Sequence, residues 1–235
     1  MHPIEGGLCA ICGERLETPF AFSDQRGEVR CGLCRRAEPP FVKAAAYGSY
    51  EGGLRELIHL LKYDQVRPAA GVLGRMLAEA IADLQPLFAG TALSVVPVPL
   101  HARKLRQRGF NQSELIARAA LKLISRPGLQ LCPGVLVRQR ETQSQIDLSR
   151  HQRRENMRGA FAIAPAAEIE GRDVLLVDDV FTTGTTASEC ARVLRRAGAS
   201  KVYVATVART LRAEAQHAVP RTEPEEVEKT MAAAS

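Results

Sequence analysis

The sequence predicts an α/β domain built on a parallel sheet, preceded by a small module held by metal rather than by a core. Three observations predict it. Residues 174–208 run strand, loop, helix, strand without interruption; two Cys-x-x-Cys pairs, Cys9/Cys12 and Cys31/Cys34, stand near the N-terminus; and Pro39-Pro40 separates those pairs from the rest. Domains usually hold about 100 to 200 residues, so a chain of 235 residues accommodates one sizeable domain and an accessory module. The expected boundaries are 1–40 for the module, 41–212 for the α/β domain and 213–235 for an unstructured tail, which is Ala/Glu-rich with few large apolar residues.

The module comes first. Cys9-x₂-Cys12 and Cys31-x₂-Cys34 are separated by eighteen residues, which fits the C-x₂-C-x₁₅₋₂₀-C-x₂-C template of a structural zinc site, where four thiolates close a tetrahedron. Disulfides and an isolated redox pair are the alternatives, but the segment lacks the strand context of a redox motif. The N-terminus has no basic run followed by an apolar core, and no stretch approaches the roughly 18 apolar residues that cross a bilayer. The expectation is therefore a cytoplasmic protein without membrane insertion, in a compartment that keeps thiols reduced. A composition of 46% hydrophobic and 25% charged residues excludes wholesale disorder.

From Tyr50 the pattern turns helical, with Leu54, Leu57, Ile58 and Leu61 at i, i+3, i+4 and i+7. A second helix carries Leu73, Met76, Leu77, Ala80 and Leu84. Leu93–Val98 reads as a strand running into a Pro-rich loop, since proline cannot donate to a central ladder. Asn111 with Glu114 three residues on marks a capped helix that would bury Leu115, Ile116, Ala119 and Leu123. Val135–Val137 and Ala160–Ile163 are short enough to be strands. Val174–Val177 is continuously apolar, as a strand covered on both faces must be. A helix from about Thr186 then places Ala187, Cys190, Ala191, Leu194 and Ala197 on one stripe, Gly198 closes it in the left-handed conformation, and Val202–Val207 returns. Cys190 on that stripe and Cys132 in a loop read as packing or incidental; His59 and His101 read as structural or solvated.

Ligands collect at the carboxyl ends of parallel strands, and Asp178-Asp179 stand where the apolar strand ends. Thr182-Thr-Gly-Thr-Thr186 follows with hydroxyls and backbone N–H groups directly before a helix, where the dipole favours an anion. Paired carboxylates leading into a phosphate cradle suit a molecule with vicinal hydroxyls at one end and a phosphate at the other. A Walker B strand is an alternative, but no G-x-x-x-x-G-K-[ST] occurs in the chain; a plain cap is another.

Val174–Thr186 resembles, without a gap, the 5-phosphoribosyl-1-pyrophosphate (PRPP) motif of type I phosphoribosyltransferases. The resemblance implies that Asp178 and Asp179 hold the ribose 2′- and 3′-hydroxyls, directly or through Mg²⁺, as the catalytic acids. Thr182, Thr183, Gly184, Thr185 and Thr186 would hold the 5′-phosphate. Displacing pyrophosphate then requires a second, basic site, for which Arg103, Lys104, Arg106 and Arg108 are the candidates, exposed on one loop. The Pro97-Val-Pro and Arg108-Gly-Phe-Asn-Gln112 strings resemble the competence protein F (ComF) family, itself built on the phosphoribosyltransferase fold and carrying a four-cysteine knuckle. Leu61-Lys-Tyr63, Arg140-Glu-Thr-Gln-Ser-Gln145, Leu148, Arg153, Asn156 and Phe161 match it too, so the likeness spans about residues 8–210.

Two functions follow. One is a Mg²⁺-dependent phosphoribosyltransferase or PRPP-binding protein with an acceptor that no part of the sequence specifies. The other is a non-catalytic module for single-stranded DNA or competence proteins, since the resemblance implies a part in DNA uptake. Its warrant in the residues is charge: from Leu100 to Arg158 thirteen Lys/Arg face four Asp/Glu, an excess larger than the whole-chain +6. A merely solvated basic face would look the same. Phe110 and Phe161 are the aromatic candidates for base stacking.

Overall fold

A computed structural model of the chain describes residues 4, 6–16, 27–141, 150–165 and 167–211. The Thr142–Leu148 part of the family string and the tail 213–235 lie outside the described residues, as does the side chain of Arg153. In chain order the elements are α1 (Gly32–Arg36), β1 (Ala44–Ser49), α2 (Gly52–Lys62), α3 (Ala69–Ala82), β2 (Leu93–Pro97), α4 (Ala102–Arg108), α5 (Gln112–Leu121), β3 (Leu129–Leu131), β4 (Leu136–Arg138), α6 (Arg150–Met157), β5 (Phe161–Ile163), β6 (Asp173–Phe181), α7 (Thr185–Arg196) and β7 (Lys201–Arg209).

Five strands form one sheet in the order β1-β7-β6-β2-β3, and every pairing in it is parallel. β6 sits at its centre, and Val174, Leu175, Leu176 and Val177 are all fully buried. The reason is alternation across a covered sheet. Val174 and Leu176 pack with Cys190, Ala191 and Leu194 of α7. Leu175 and Val177 pack on the other face with Ile58 of α2, Leu73 and Leu77 of α3 and Ile116 of α5. The result is a three-layer α/β/α sandwich, the parallel-sheet class the sequence predicts.

Helices α3 and α5 approach almost to backbone contact. A Cβ at Gly74 would stand 2.5 Å from Ala119 Cβ, so only glycine fits there. This packing sets the position of α5 and of Ser113 at its N-terminus. The cysteine module continues the α7-side core, where Ile11, Phe41 and Ala44 join the cluster that holds Val174 and Leu176. β4 and β5 pair antiparallel as a separate ribbon, tied by an isolated bridge from Arg138 to His101.

Several elements differ from the sequence reading. Residues 102–108 form a helix rather than an exposed loop, because His101 caps its start and Gly109, at φ 75°, closes its end in the left-handed region. β1 and β3 were not expected at all. The stripe of α5 stops at Leu121, so Leu123 is 54% exposed instead of buried. Leu84 is buried past the end of α3. Gly198 closes the last helix at φ 93°, as expected. Among the described residues no helix is long and apolar enough to cross a membrane.

Candidate functional site

The two acids stand within β6, which runs on to Phe181 rather than ending at them, and each finds a different neighbour. Asp179 is buried, and its Oδ2 meets Lys62 Nζ at 2.7 Å. Lys62 is the last residue of α2, so the helix packed on that face of the sheet delivers the cation. Burial pulls the ammonium down, but Asp179 and then Asp178 push harder, and the net displacement is upward. The ammonium of Lys62 is thereby held in its charged form.

Asp178 is half-buried, and its Oδ1 accepts from Ser113 Oγ at 3.0 Å and from the Asp179 N–H at 2.9 Å. Burial first, and the neighbouring Asp179 charge second, raise its carboxyl to about 7, against the pull of Lys62 and these two donors. A carboxylate so destabilised gains from any ligand that donates to it. Of the two predicted acids, Asp179 is already neutralised by a protein cation. Asp178 is the one placed to receive hydroxyls.

The turn after β6 is built around Gly184, the N-cap of α7, at φ 73°. A Cβ there would lie 2.5 Å from Phe181 Cζ, so the backbone rests on that ring. Thr183 and Thr185 share a hydroxyl hydrogen bond of 2.8 Å, and the Ser188 N–H donates to Gly184 O at 2.8 Å, the first turn of α7. Helix geometry then leaves the N–H groups of Thr185, Thr186 and Ala187 without intrahelical acceptors. Thr182 is exposed; Thr183, Thr185 and Thr186 are half-buried. A cleft of about 480 Å³ opens beside this turn, between it and Pro39, Pro40 and Arg36.

Helix α4 splits the four predicted cations. At 3.6 residues per turn Lys104 and Arg108 share one face, and Arg103 and Arg106 lie on the other side. Lys104 is exposed, and its ammonium is lowered first by partial burial and then by the charges of Arg138 and Arg108. Arg108 donates to Gln112 Oε1 at 2.5 Å and lies 5.9 Å from the centre of the Tyr63 ring. Arg103 is 72% exposed and pairs with Glu141 at 3.3 Å; Arg106 is exposed. The aromatic candidates fare differently again. Phe110 and Phe161 are buried, under Arg67 and Arg138 respectively, and neither presents a face to a base. Among the described residues the exposed aromatic ring is Tyr63, at 65%.

In the cysteine module the four sulfurs of Cys9, Cys12, Cys31 and Cys34 are buried and lie within 4.8 Å of one another. Cys12 Sγ and Cys31 Sγ are 3.7 Å apart, against roughly 3.8 Å between ligands of a tetrahedral site with Zn–S near 2.3 Å. Hydrogen bonding among the four crowded sulfurs lowers Cys9 and Cys31 and raises Cys12 and Cys34, whereas a bound metal would take all four as thiolates. The residues present fit zinc.

Lys62, Ser113, Arg138 and Arg209 belong to these surroundings and were assigned no role from sequence. Lys62 lay in a string singled out only for its resemblance. Ser113 stands two residues after the Asn111 cap, whose side chain accepts from its N–H at 3.1 Å.

Comparison with known proteins adds the following. Residues 114–230 match the phosphoribosyl transferase domain. "DNA utilization protein YhgH" of Escherichia coli O157:H7 is 32% identical over 213 residues, 87% of this chain and 91% of that protein. "Competence protein F" of Haemophilus influenzae is 30% identical over 217 residues, 89% and 93% of the two chains. Among solved structures, a hypoxanthine phosphoribosyltransferase from Staphylococcus aureus overlaps 58% of this chain and 62% of its own, at a TM-score of 0.40 and 18% identity.

Proposed function

This chain belongs to the competence protein F family, and on that premise we propose that it binds PRPP with Mg²⁺ at the turn Asp178–Thr186. The observation that carries the reading is the pairing of a half-buried carboxyl, bonded to Ser113, near the C-terminal end of β6 with a glycine-capped helix start a few residues on. Asp178 accepts from the ribose hydroxyls, and their donation offsets the burial that raises its pKa. Asp179 holds Lys62 in place, and the two charges offset each other. The N–H groups of Thr185, Thr186 and Ala187 and the hydroxyls of the threonine turn take the 5′-phosphate. Lys104 and Arg108 supply positive charge where pyrophosphate would depart. Carboxylate oxygens suit Mg²⁺; with Asp178 and the ligand's own oxygens the ion would neutralise pyrophosphate charge. The four cysteines hold a structural zinc, and transfer to an acceptor is the family chemistry this arrangement permits.

Calorimetry with PRPP and Mg²⁺ tests the reading. Zinc-loaded protein gives a saturable heat that Asp178→Asn, checked for its fold by melting, loses. No heat from either protein overturns the proposal.

One observation favours a second reading, the binding of single-stranded DNA. The exposed Tyr63 ring beside Arg108 and the outward cations of α4 combine a stacking face with backbone-neutralising charge. Labelled single strands titrated at two salt concentrations should bind more weakly at the higher one, and Tyr63→Ala should weaken binding at both. Affinity indifferent to salt and to Tyr63 removes this reading.

A further inference from the structure

One side chain touches both the cysteine cluster and the floor of the threonine turn. Arg209 is the last residue of β7 and pairs in register with Phe181, the last of β6. Its guanidinium lies with its centre 4.8 Å from the Phe181 ring, and that ring is the surface on which Gly184 rests. Phe41 meets Phe181 edge-on at 6.1 Å and closes the aromatic floor from the module's side. The edge of the same guanidinium points the other way. Nη1 donates to the Cys12 carbonyl, Nη2 donates to Glu14 Oε2 at 2.9 Å, and Nη2 is 3.9 Å from Cys12 Sγ. Arg209 and Glu14 are both almost wholly buried, at 4% and 6% of side-chain exposure.

A planar, always-charged group serves both contacts at once, with its face on an aromatic ring and its fork on a carbonyl and a carboxylate. A buried guanidinium cannot leave this position cheaply, since losing either set of partners leaves an uncompensated charge. The position of Phe181, and so of Gly184, is therefore tied to the position of Cys12.

We infer that Arg209 is a positioning residue that couples metal occupancy of the cysteine cluster to the order of the Thr182–Thr186 turn. With zinc bound, Cys12 and its carbonyl are fixed, Arg209 is held flat on Phe181, and the turn keeps its left-handed cap. Without zinc the knuckle loosens, Arg209 loses one anchor, and the turn relaxes. The consequence for phosphate binding rests on the function proposed above; the coupling itself does not.

Hydrogen exchange reads the coupling without any ligand. In the full-length zinc-loaded protein the Thr182–Thr186 amides are compared with those of β2 as an internal reference. Removing zinc with a chelator speeds exchange in the turn by on the order of 5-fold or more, with β2 unchanged. Arg209→Met combined with Glu14→Gln, which removes both buried charges together, shows the fast turn even with zinc bound. Phe181→Leu, which keeps Arg209 and the knuckle but removes the ring, does the same. A turn whose exchange ignores zinc and both variants overturns the inference, and so does fast exchange that spreads equally to β2. PRPP calorimetry on the same samples separates the two claims: zinc-sensitive exchange without PRPP heat removes the proposed function and leaves the coupling standing.

Discussion

The tip of β6 and helix α4 both concentrate charge, and they do so in opposite ways. At the tip two acids and one lysine are buried or half-buried, each held by a named partner within 3.0 Å. On α4 three of the four cations, Arg103, Lys104 and Arg106, are exposed, and Arg103 pairs with Glu141 at 3.3 Å with 72% of its side chain exposed. Buried charges interact strongly and must be matched, whereas exposed ones form a screened field in which no single member matters much. The difference teaches how each region holds its charge: the acids of β6 are fixed atom by atom, and α4 contributes a screened net potential.

The strongest way to break that comparison is to unmatch the tip. Lys62→Met leaves the buried Asp179 carboxylate without its cation, and chemical denaturation should show a loss of about 3–5 kcal/mol. A loss below about 1 kcal/mol, the value of a surface pair, would place the tip in the same class as α4. Gly184→Ala comes next. It forces an L side chain to φ 73° and against Phe181, which should cost roughly 1–3 kcal/mol and abolish saturable PRPP heat. Melting and calorimetry on one preparation check both.

The third prediction sharpens the comparison through pH. Because the folded Asp178 carboxyl is raised from 3.8 to about 7, its contribution to stability is full below the unfolded value and is lost as pH rises through about 7. Asp178→Asn cannot ionise. The melting temperature of the native protein should therefore fall relative to the variant between pH 4 and 8, and parallel curves would refute the assignment. The same ionisation should strengthen PRPP binding across that range. The smallest effect belongs to α4: Arg103→Ala should change stability by less than about 1 kcal/mol, and a larger loss would show that the outer face of the helix is structural.

Legibility in the sequence follows the same division. Val174–Val177 and the stripe Ala187, Cys190, Ala191 and Leu194 were readable because a covered strand and an amphipathic helix leave periodic apolar marks. The acids and the glycine-capped turn were readable because they are contiguous. Lys62 was not, since its partner lies far along the chain and its own helix was read only for its apolar face. α4 carries a single leucine among charges and so shows no stripe; Gly109 was its one visible terminus. β1, Ala-rich with Tyr, Gly and Ser, has little intrinsic strand preference. It is a strand because β7 offers it an edge, which no local reading reveals. Leu123 failed for the converse reason: the apolar period continues past the point where the helix stops.

The place of β1 has a consequence for how the chain folds as it is made. The strand ladder of residues 44–49 is with residues 201–209, about 160 positions later, and β7 also completes one side of the central strand β6. Synthesis runs from the N-terminus and adds roughly 5–20 residues per second, so an early segment waits many seconds for its template while β6 emerges with one flank uncovered. Long-range parallel pairing of this kind slows folding and leaves apolar edges open to other chains. The sandwich can close only after the ribosome has delivered Arg209, the same residue that ties the cysteine knuckle to the turn.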